Sequence, residues 1–269
     1  QILAGLARDK STAELVNVVP SDKPSDAYKA VAEQAKEFLP TYMHRWMNRA
    51  VCKRTVMTIP YNATKDSSRK YIREALLEEG IDPTKDELTQ VVNAVYSSMD
   101  SIVPGPMQVM RWIKKHVGLY IRNGAKEVEW VTPSGFIVNQ RRDDIETEQM
   151  ELQLLGRTRV RLPTGKTSPS PTKHKSSTAP NYIHSFDASI LHRSFTQFDE
   201  PFTVIHDSVL CRAGDMGTLN RLVRETYTNI FSEECWLSKF AETINASEPP
   251  PIVGTLDPKV VSNSTYFFC

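Results

Sequence analysis

A series of helical patterns between residues 26 and 122 restricts the fold of this chain more than any other feature of the sequence. Apolar residues recur at helical spacing over Asp26–Leu39, with Ser25 as the predicted N-cap, and again over Met43–Ile59. Three further patterns, separated by glycine or proline, are Lys70–Glu79, Asp86–Val103 and Met107–Arg122. The sequence therefore predicts a helical body in this part of the chain.

Strand patterns appear after residue 124. Glu127–Val138 combines β-rich segments with the turn residues Pro133 and Gly135, which is typical of a β-hairpin. Phe202–Cys211 consists of two apolar segments around a polar turn, and a helical pattern over Gly217–Ser232 follows it. Helices and hairpins in one chain predict the α+β class.

Charge is unevenly distributed in one segment, although the net charge of the chain is only +1. Asp143–Glu151 contains five acidic residues, whereas Arg157–Lys175 contains six lysines and arginines, no acidic residue and three prolines. We expect an extended, mobile hairpin or loop over about residues 142–175. A solvated surface loop and a nucleic-acid contact both fit this composition.

Bulk composition narrows the class of protein. The chain has 269 residues, enough for one large domain or two closely packed ones. No apolar run reaches the roughly 18–20 residues of a membrane span, so we expect a soluble protein with no membrane partner. The four cysteines are scattered without a CxxC spacing, which disfavours a structural zinc site or disulfide framework and fits a reducing compartment.

Four residues at a spacing of four form an unusual stripe on the second predicted helix. They are Arg49, Lys53, Met57 and Tyr61. Arginine grips phosphate oxygens with two parallel hydrogen bonds and lysine supplies a point charge, so the stripe suits a polyphosphate beside a base or sugar. An amphipathic helix whose long cations extend into solvent explains the same spacing.

Two polar segments could carry further chemistry. His206 and Asp207 lie at the turn between two apolar segments, where a carboxylate could hold Mg²⁺, although an ordinary turn has the same composition. Pro180–Asp187 places His184 near Asp187, either as an oriented pair or as a buried polar cluster.

These segments together resemble the single-subunit RNA polymerases of phages and mitochondria, which are related to family A DNA polymerases. The fingers-helix motif is similar to Arg49–Tyr61, and Trp130–Phe136, Pro180–Asp187, Val204–Ser208 and the closing Ser264–Phe268 resemble further family motifs in the same order. Gln1–Asp9 resembles the helix after the first catalytic aspartate of the family. The resemblance covers nearly the whole chain.

The resemblance implies a right-hand polymerase fold, incomplete in this chain, with mainly helical fingers and a palm that contains a β-hairpin. Residues 1–12 would be a palm helix, and residues 13–184 would be the fingers, including the basic hairpin or loop. Residues 185–269 would be palm, with the catalytic turn at 204–211 and a packed C-terminal tail.

The resemblance also implies roles for the residues of the two motifs. Asp207 would be a catalytic carboxylate that holds Mg²⁺, and His206 would lie near the RNA 3′ end. Arg49 and Lys53 would bind the incoming triphosphate, and Lys53 would also assist departure of pyrophosphate in catalysis. Arg54 would be an auxiliary cation.

Sugar and nucleic-acid recognition are implied as well. Met57 would pack near the base, Tyr61 would gate the nucleotide site and select ribose, and His184 would support that selection. The basic residues that occupy the place of the promoter-reading hairpin of the family would bind nucleic acid: Arg157, Arg159, Arg161 and Lys166. Pro60 and Asn62 depart from the family pattern around Tyr61, and Pro60 predicts that the helix ends or kinks there.

The implied cofactor is a pair of Mg²⁺ ions, with the second carboxylate supplied from outside this chain. We therefore expect a heterodimer with a second polymerase subunit, and an apolar edge near Gln1 that this partner covers. A nicked or truncated single-chain enzyme fits the same residues. The other expected partners are the DNA template, the nascent RNA, ribonucleoside triphosphates and accessory transcription factors. The expected location is the cytoplasm of an infected bacterial host, or alternatively the mitochondrial matrix.

Two other functions stay open from the sequence. A family A DNA polymerase is disfavoured by Ser208, where those enzymes typically carry glutamate, and by Met57, where they typically carry phenylalanine. A non-catalytic nucleic-acid-binding module is disfavoured because Arg49, Lys53 and Asp207 are all present.

Overall fold

The computed structural model describes residues 1–153 and 156–267. Helices dominate these residues, and the α+β class is confirmed. The α-helices are α1 (Ile2–Ala7), α2 (Lys10–Leu15), α3 (Ala27–Lys36), α4 (Arg49–Thr58), α5 (Lys65–Glu78), α6 (Lys85–Ile102), α7 (Pro104–Arg122), α8 (Pro171–Phe195), α9 (Met216–Glu233) and α10 (Trp236–Thr243). None of the helices in the described part of the chain combines the length and apolarity that crossing a bilayer requires.

The strands form separate two-stranded antiparallel hairpins. They are β1 (Val128–Val131) with β2 (Ile137–Gln140), β3 (Asp143–Leu152) with β4 (Thr158–Pro169), and β5 (Phe202–Ile205) with β6 (Ser208–Cys211). The pairing of Ile205 with Ser208 leaves His206 and Asp207 as the two turn residues, so the predicted turn is confirmed.

Two hydrophobic cores hold the helices. One core lies between residues 31 and 107 and joins α3 to α6, with Met43, Ile72 and Leu76 almost fully buried. The other core joins residues 2–18 to residues 109–267 and includes Phe186 and Tyr227. Helix α7 contributes to both cores, because Met107 belongs to the first and Val109 onward to the second. This long helix therefore fixes the two halves against each other.

Capping side chains set where the first helices begin. Asp26 accepts hydrogen bonds from the backbone N–H groups of Tyr28 and Lys29, so Asp26 caps α3 and the prediction of Ser25 was wrong. The pattern over Met43–Ile59 is divided, because a 3₁₀ helix ends at Trp46 and Asn48 caps α4 through the Val51 N–H at 3.1 Å.

Helix α8 is the largest departure from the expected structure. Residues 171–175, expected in an extended loop, are helical because Ser170 caps the helix and Pro171 occupies its first turn, where a missing N–H costs nothing. Pro180 lies inside the helix without ending it. The predicted division between fingers and palm at residues 184 and 185 falls within this continuous helix, and the domain assignment stays a prediction.

Both ends of the described chain are packed. Ile2–Ala7 is buried throughout, so the prediction of an exposed apolar edge near Gln1 was wrong. Near the other end, Phe267 is buried and its ring lies 5.0 Å from that of Tyr227. Phe268 and Cys269 of the predicted packed tail lie outside the described residues.

Asp9 connects the first helices to α7. Its carboxylate caps α2 by accepting from the Thr12 N–H and hydroxyl, and also accepts from Ser11 and from the Gly105 N–H at 3.0 Å. Burial alone would raise the pKa of Asp9, but these hydrogen bonds together hold the pKa below its ordinary value.

Asp9→Asn is expected to lower the free energy of unfolding by about 1–3 kcal/mol near neutral pH, because an amide nitrogen cannot accept from the buried donors. A depressed folded-state pKa contributes stability above the unfolded pKa, and that contribution disappears as the pH falls through the folded-state value. Urea titrations of both proteins should therefore show a difference near pH 7 that shrinks below about pH 4. A difference independent of pH would contradict this role of the charge.

Candidate active site

Helix α4 presents the predicted stripe to solvent. Val51, Cys52, Thr55 and Val56 are its buried side. Arg49, Lys53 and Met57 are consequently exposed on the other side, and Met57 lines a cleft of about 370 Å³ together with Tyr28 and Tyr61. The spacing of the stripe therefore does produce one accessible surface.

The three cations of this motif have different surroundings. Arg49 donates through Nε to Asp26 at 2.6 Å, and its guanidinium lies 5.3 Å from the centre of the Tyr28 ring. Burial raises the pKa of the Asp26 carboxyl, but Arg49 helps to hold that pKa below its ordinary value. Lys53 is exposed, and no carboxylate among the described residues pairs with it.

Arg54 lies on a different side of α4. It donates to Glu74 at 2.9 Å, and its guanidinium lies 4.1 Å from the centre of the Tyr71 ring on α5. The structure thus engages Arg54 with α5, and its role as an auxiliary cation for the triphosphate stays a prediction.

Helix α4 ends at Thr58, and a 3₁₀ turn over Ile59–Tyr61 follows, which confirms the break predicted at Pro60. Asn62 adopts a left-handed backbone with a φ of 64°, a conformation that asparagine tolerates better than most residues. Its Nδ2 donates to the Ser176 carbonyl at 2.6 Å. In a regular helix, the N–H of residue 180 would donate to the Ser176 carbonyl, but Pro180 has no N–H. Asn62 supplies the missing donor and so links the end of α4 to α8.

Three rings from three elements form a row beside this link. Tyr61 stacks on His184 of α8 with ring centres 4.8 Å apart and planes 17° apart. The centre of the His184 ring lies 5.8 Å from that of His206, in an edge-to-face arrangement. The structure therefore brings together three predicted residues that are far apart in the sequence.

The β5–β6 turn completes the row. His206 has a positive φ of 59°, as tight two-residue hairpins require, and its Nδ1 lies 3.3 Å from Asp207 Oδ1. Both side chains are largely exposed, at 71% and 76%. An exposed carboxylate on a tight turn is free to accept a cation.

Asp187 is a carboxylate to which the sequence patterns gave no catalytic role. It lies one turn after His184 on α8 and lines the same cleft. Burial raises the pKa of Asp187, and the nearby Asp207 carboxylate raises it further, while His184 and His206 act in the opposite direction. Burial, Asp187 and Asp207 likewise raise the pKa of Tyr61. Residues three apart lie on the same face of a helix, so the spacing of His184 and Asp187 could have indicated that Asp187 belongs to the same site.

Asp207 is an exposed carboxylate on a tight turn, and the His184–His206 contact brings Asp187 of α8 to the same region, so the residues present fit Mg²⁺. Over residues 1–153 and 156–267, no group of three or more His, Cys, Asp or Glu side chains converges closely enough to enclose a metal ion. Mg²⁺ commonly binds through one or two carboxylates, with water and phosphate oxygens completing its coordination.

The four basic residues predicted to bind nucleic acid belong to the β3–β4 hairpin, with Arg157 just before β4 and the other three within it. Arg157 and Arg159 both approach Glu151 of β3, at 2.8 and 3.6 Å, and remain more than 70% exposed. Arg161 is paired with Gln149 in the strand register, and it is exposed, as is Lys166. The expected extended segment is therefore a long hairpin with an accessible basic side.

Comparisons with known proteins agree over most of the chain. The family model described as DNA-dependent RNA polymerase matches residues 1–249. The human mitochondrial DNA-directed RNA polymerase is 29% identical, over 100% of this chain and 24% of the human protein. The DNA-directed RNA polymerase of Pseudomonas phage phiKMV is 24% identical, over 98% of this chain and 33% of the phage protein. DNA-directed RNA polymerase 2A of Nicotiana tabacum is 27% identical, over 100% of this chain and 88% of the tobacco protein. The chain spans about a quarter of the human relative and a third of the phage relative.

Proposed function

The chain belongs to the DNA-dependent RNA polymerase family, and on that premise we propose that it performs template-directed, Mg²⁺-dependent ribonucleotidyl transfer as part of a DNA-directed RNA polymerase. The observation that supports this most is the convergence of Tyr61, His184 and the His206–Asp207 turn from three separate elements. A right-hand polymerase arrangement of fingers and palm would place the reacting groups at this convergence.

Asp207 would hold the metal, with Asp187 beside it as a supporting carboxylate. When bound, Mg²⁺ would neutralise charge on the reacting phosphate oxygens and help the 3′-hydroxyl of the RNA to attack. The role of Asp207 is to supply a fixed negative charge at an exposed turn, where substrate and ion have access. His206 would lie against the RNA 3′ end.

Lys53 and Arg49 would bind the triphosphate. Lys53 is exposed and unpaired within the described residues, so its ammonium can stabilise the negative charge that develops on departing pyrophosphate. Arg49 would first exchange Asp26 for a phosphate. The triphosphate would thus lie along the exposed side of α4, with the base towards Met57.

Tyr61 would select the sugar. The stacking with His184 fixes the direction of the tyrosine ring, and Asn62 fixes the backbone beside it. A hydroxyl held in this way can discriminate between riboses and deoxyriboses, because the wrong sugar leaves a hydrogen-bonding group unpaired.

We also propose a heterodimer in which a second polymerase subunit supplies the other metal-binding carboxylate. The β5–β6 hairpin supports this, because part of its apolar surface is exposed: Ile205 is 68% exposed and Leu210 57%. A polypeptide that covers this hairpin would lie next to Asp207 and could deliver the carboxylate. This chain would be inactive without that partner.

The nucleic-acid partners would be a DNA template and the nascent RNA. Basic residues of the β3–β4 hairpin would contact nucleic acid: Arg157 just before β4, and Arg159, Arg161 and Lys166 within it. Acidic residues on β3 reduce the net positive charge of the β3–β4 hairpin. A weaker charge suits promoter recognition that is shared with accessory transcription factors. The relatives include mitochondrial and phage proteins, and we propose the cytoplasm of an infected bacterium as the location, with the mitochondrial matrix as the alternative.

Extension of an RNA primer on a DNA template tests this function. The chain alone and the chain mixed with its partner polypeptide are each supplied with Mg²⁺ and either ribonucleotides or deoxyribonucleotides. We expect extension with ribonucleotides only in the mixture and only with Mg²⁺. A preference for deoxyribonucleotides, or no extension by the folded mixture, would contradict the proposal.

A further inference from the structure

Helices α7 and α8 bring three cations together on a surface that has no role in the function proposed above. Arg111 and Lys114 lie on α7, and Lys175 lies on α8. Lys114 and Lys175 are half-buried, and Arg111 is exposed. This group is called the α7–α8 cation cluster below.

Gly118 makes room for the cluster. It follows Lys114 by one helical turn, and a Cβ at position 118 would lie 2.6 Å from Cδ of Lys175. The aliphatic part of Lys175 therefore lies directly against the backbone of α7. Glycine within a helix is unfavourable, so this position sacrifices helix propensity for a close approach of a lysine.

The electrostatics of the cluster are unfavourable in the chain by itself. Burial lowers the pKa of Lys114, and the positive charges of Arg111 and Lys175 lower it further. Asp100 pairs with Arg111, but no carboxylate within residues 1–153 and 156–267 pairs with Lys114 or Lys175. Lys114 and Lys175 therefore have no acidic partner within these residues, and an anion bound between them would offset the repulsion.

The position of the cluster indicates which anion it takes. Lys175 directly precedes Ser176, whose carbonyl accepts the hydrogen bond from Asn62, so the cluster adjoins the residue after Tyr61. Two residues earlier, Lys173 pairs with Asp144 at the base of the β3–β4 hairpin at 2.8 Å. The cluster therefore lies between the proposed nucleotide site and the basic hairpin, whereas the proposed triphosphate cations lie on α4.

We propose that Arg111, Lys114 and Lys175 bind a phosphodiester group of a nucleic-acid strand that passes between the active site and the β3–β4 hairpin. This inference rests on the proposed function in so far as it requires a nucleic-acid partner. The phosphate would sit between α7 and α8, and its charge would offset the repulsion among the three cations. Such a contact is independent of base sequence and sensitive to salt.

The test measures binding of a fluorescent single-stranded DNA to the full chain over a range of salt concentrations. In Lys114→Gln/Lys175→Gln, the slope of log K against log salt should fall in magnitude by about 0.7 for each lost contact, or about 1.4 in total. Lys259→Gln, an exposed lysine on another part of the chain, should leave the slope unchanged. Lys114→Arg/Lys175→Arg should retain the slope of the wild-type chain.

Two further measurements separate phosphodiester binding from a loss of folding and from triphosphate binding. The melting temperature of the glutamine variant should equal or exceed that of the wild type, because the substitution relieves repulsion. The shift in melting temperature that Mg-ATP produces should be the same in both proteins. An unchanged DNA slope would overturn the cluster as a phosphodiester site, and an equal loss of the ATP effect would assign the cluster to a triphosphate. Absence of DNA binding by the wild-type chain would overturn the nucleic-acid function itself.

Discussion

Asp207→Asn is expected to abolish nucleotidyl transfer, with a loss of about 10³-fold or more in the rate of single-nucleotide addition. The substitution removes the charge that would hold Mg²⁺, and each 1.36 kcal/mol of lost transition-state stabilisation lowers the rate tenfold. The side chain is 76% exposed and contributes little packing, so the variant should fold and assemble normally. Rapid-quench primer extension by the assembled polymerase measures the rate, and circular dichroism confirms the fold.

Asp199→Asn is the matched control for this substitution. Asp199 is exposed and lies three residues before β5. Its replacement by asparagine removes one negative charge from the same part of the chain. It should retain the activity of the wild type. Near-normal activity of Asp207→Asn, or an equal loss in Asp199→Asn, would remove the basis for placing the metal at the β5–β6 turn.

Lys53→Gln is expected to lower kcat by about 10²–10³-fold, as does removal of a single donor that stabilises developing negative charge in other enzymes. The change in KM should be smaller, because stabilisation of the leaving group operates mainly in the transition state. Lys53→Arg should restore part of the rate, since it retains the positive charge. Steady-state kinetics with varied ATP concentration separates the two parameters.

Lys85→Gln is the control for the lysine. Lys85 is exposed at the start of α6, outside the cleft, and its loss should leave both parameters unchanged. A Lys53→Gln enzyme with an unchanged kcat and a raised KM would show that Lys53 only binds the ground state. That result would contradict its role in the departure of pyrophosphate.

Local sequence patterns were sufficient for much of the fold. Helices α6 and α7 have apolar residues at regular spacing and clear end signals, so their positions follow from the sequence within a few residues. The two-residue turn at His206–Asp207 follows from the apolar segments on either side. Helix α8 was not predicted, because its first turns are polar and Pro180 lies in its interior. The donor that compensates for Pro180 is Asn62, which lies 114 residues before the Ser176 carbonyl and which no local pattern contains.

The candidate site shows the same limit. Helical spacing was sufficient to place Lys53 and Met57 on one accessible side of α4. The pairing of Arg49 with Asp26 and the approach of His184 to His206 depend on contacts between distant segments. The pKa values of these groups depend on their burial and on the charges of distant neighbours. Local sequence patterns show neither the burial nor those neighbours.

Metal-directed cleavage tests the central assignment most directly. The assembled polymerase is loaded with Fe²⁺ in place of Mg²⁺, and peroxide with ascorbate then generates radicals that cut the polypeptide next to the bound ion. Cuts are expected within residues 204–209 and near residues 184–187, and Asp207→Asn should remove them while Asp199→Asn leaves them unchanged. Cleavage elsewhere in the chain, or the same cuts in Asp207→Asn, would contradict the claim that Asp207 holds the metal for ribonucleotidyl transfer.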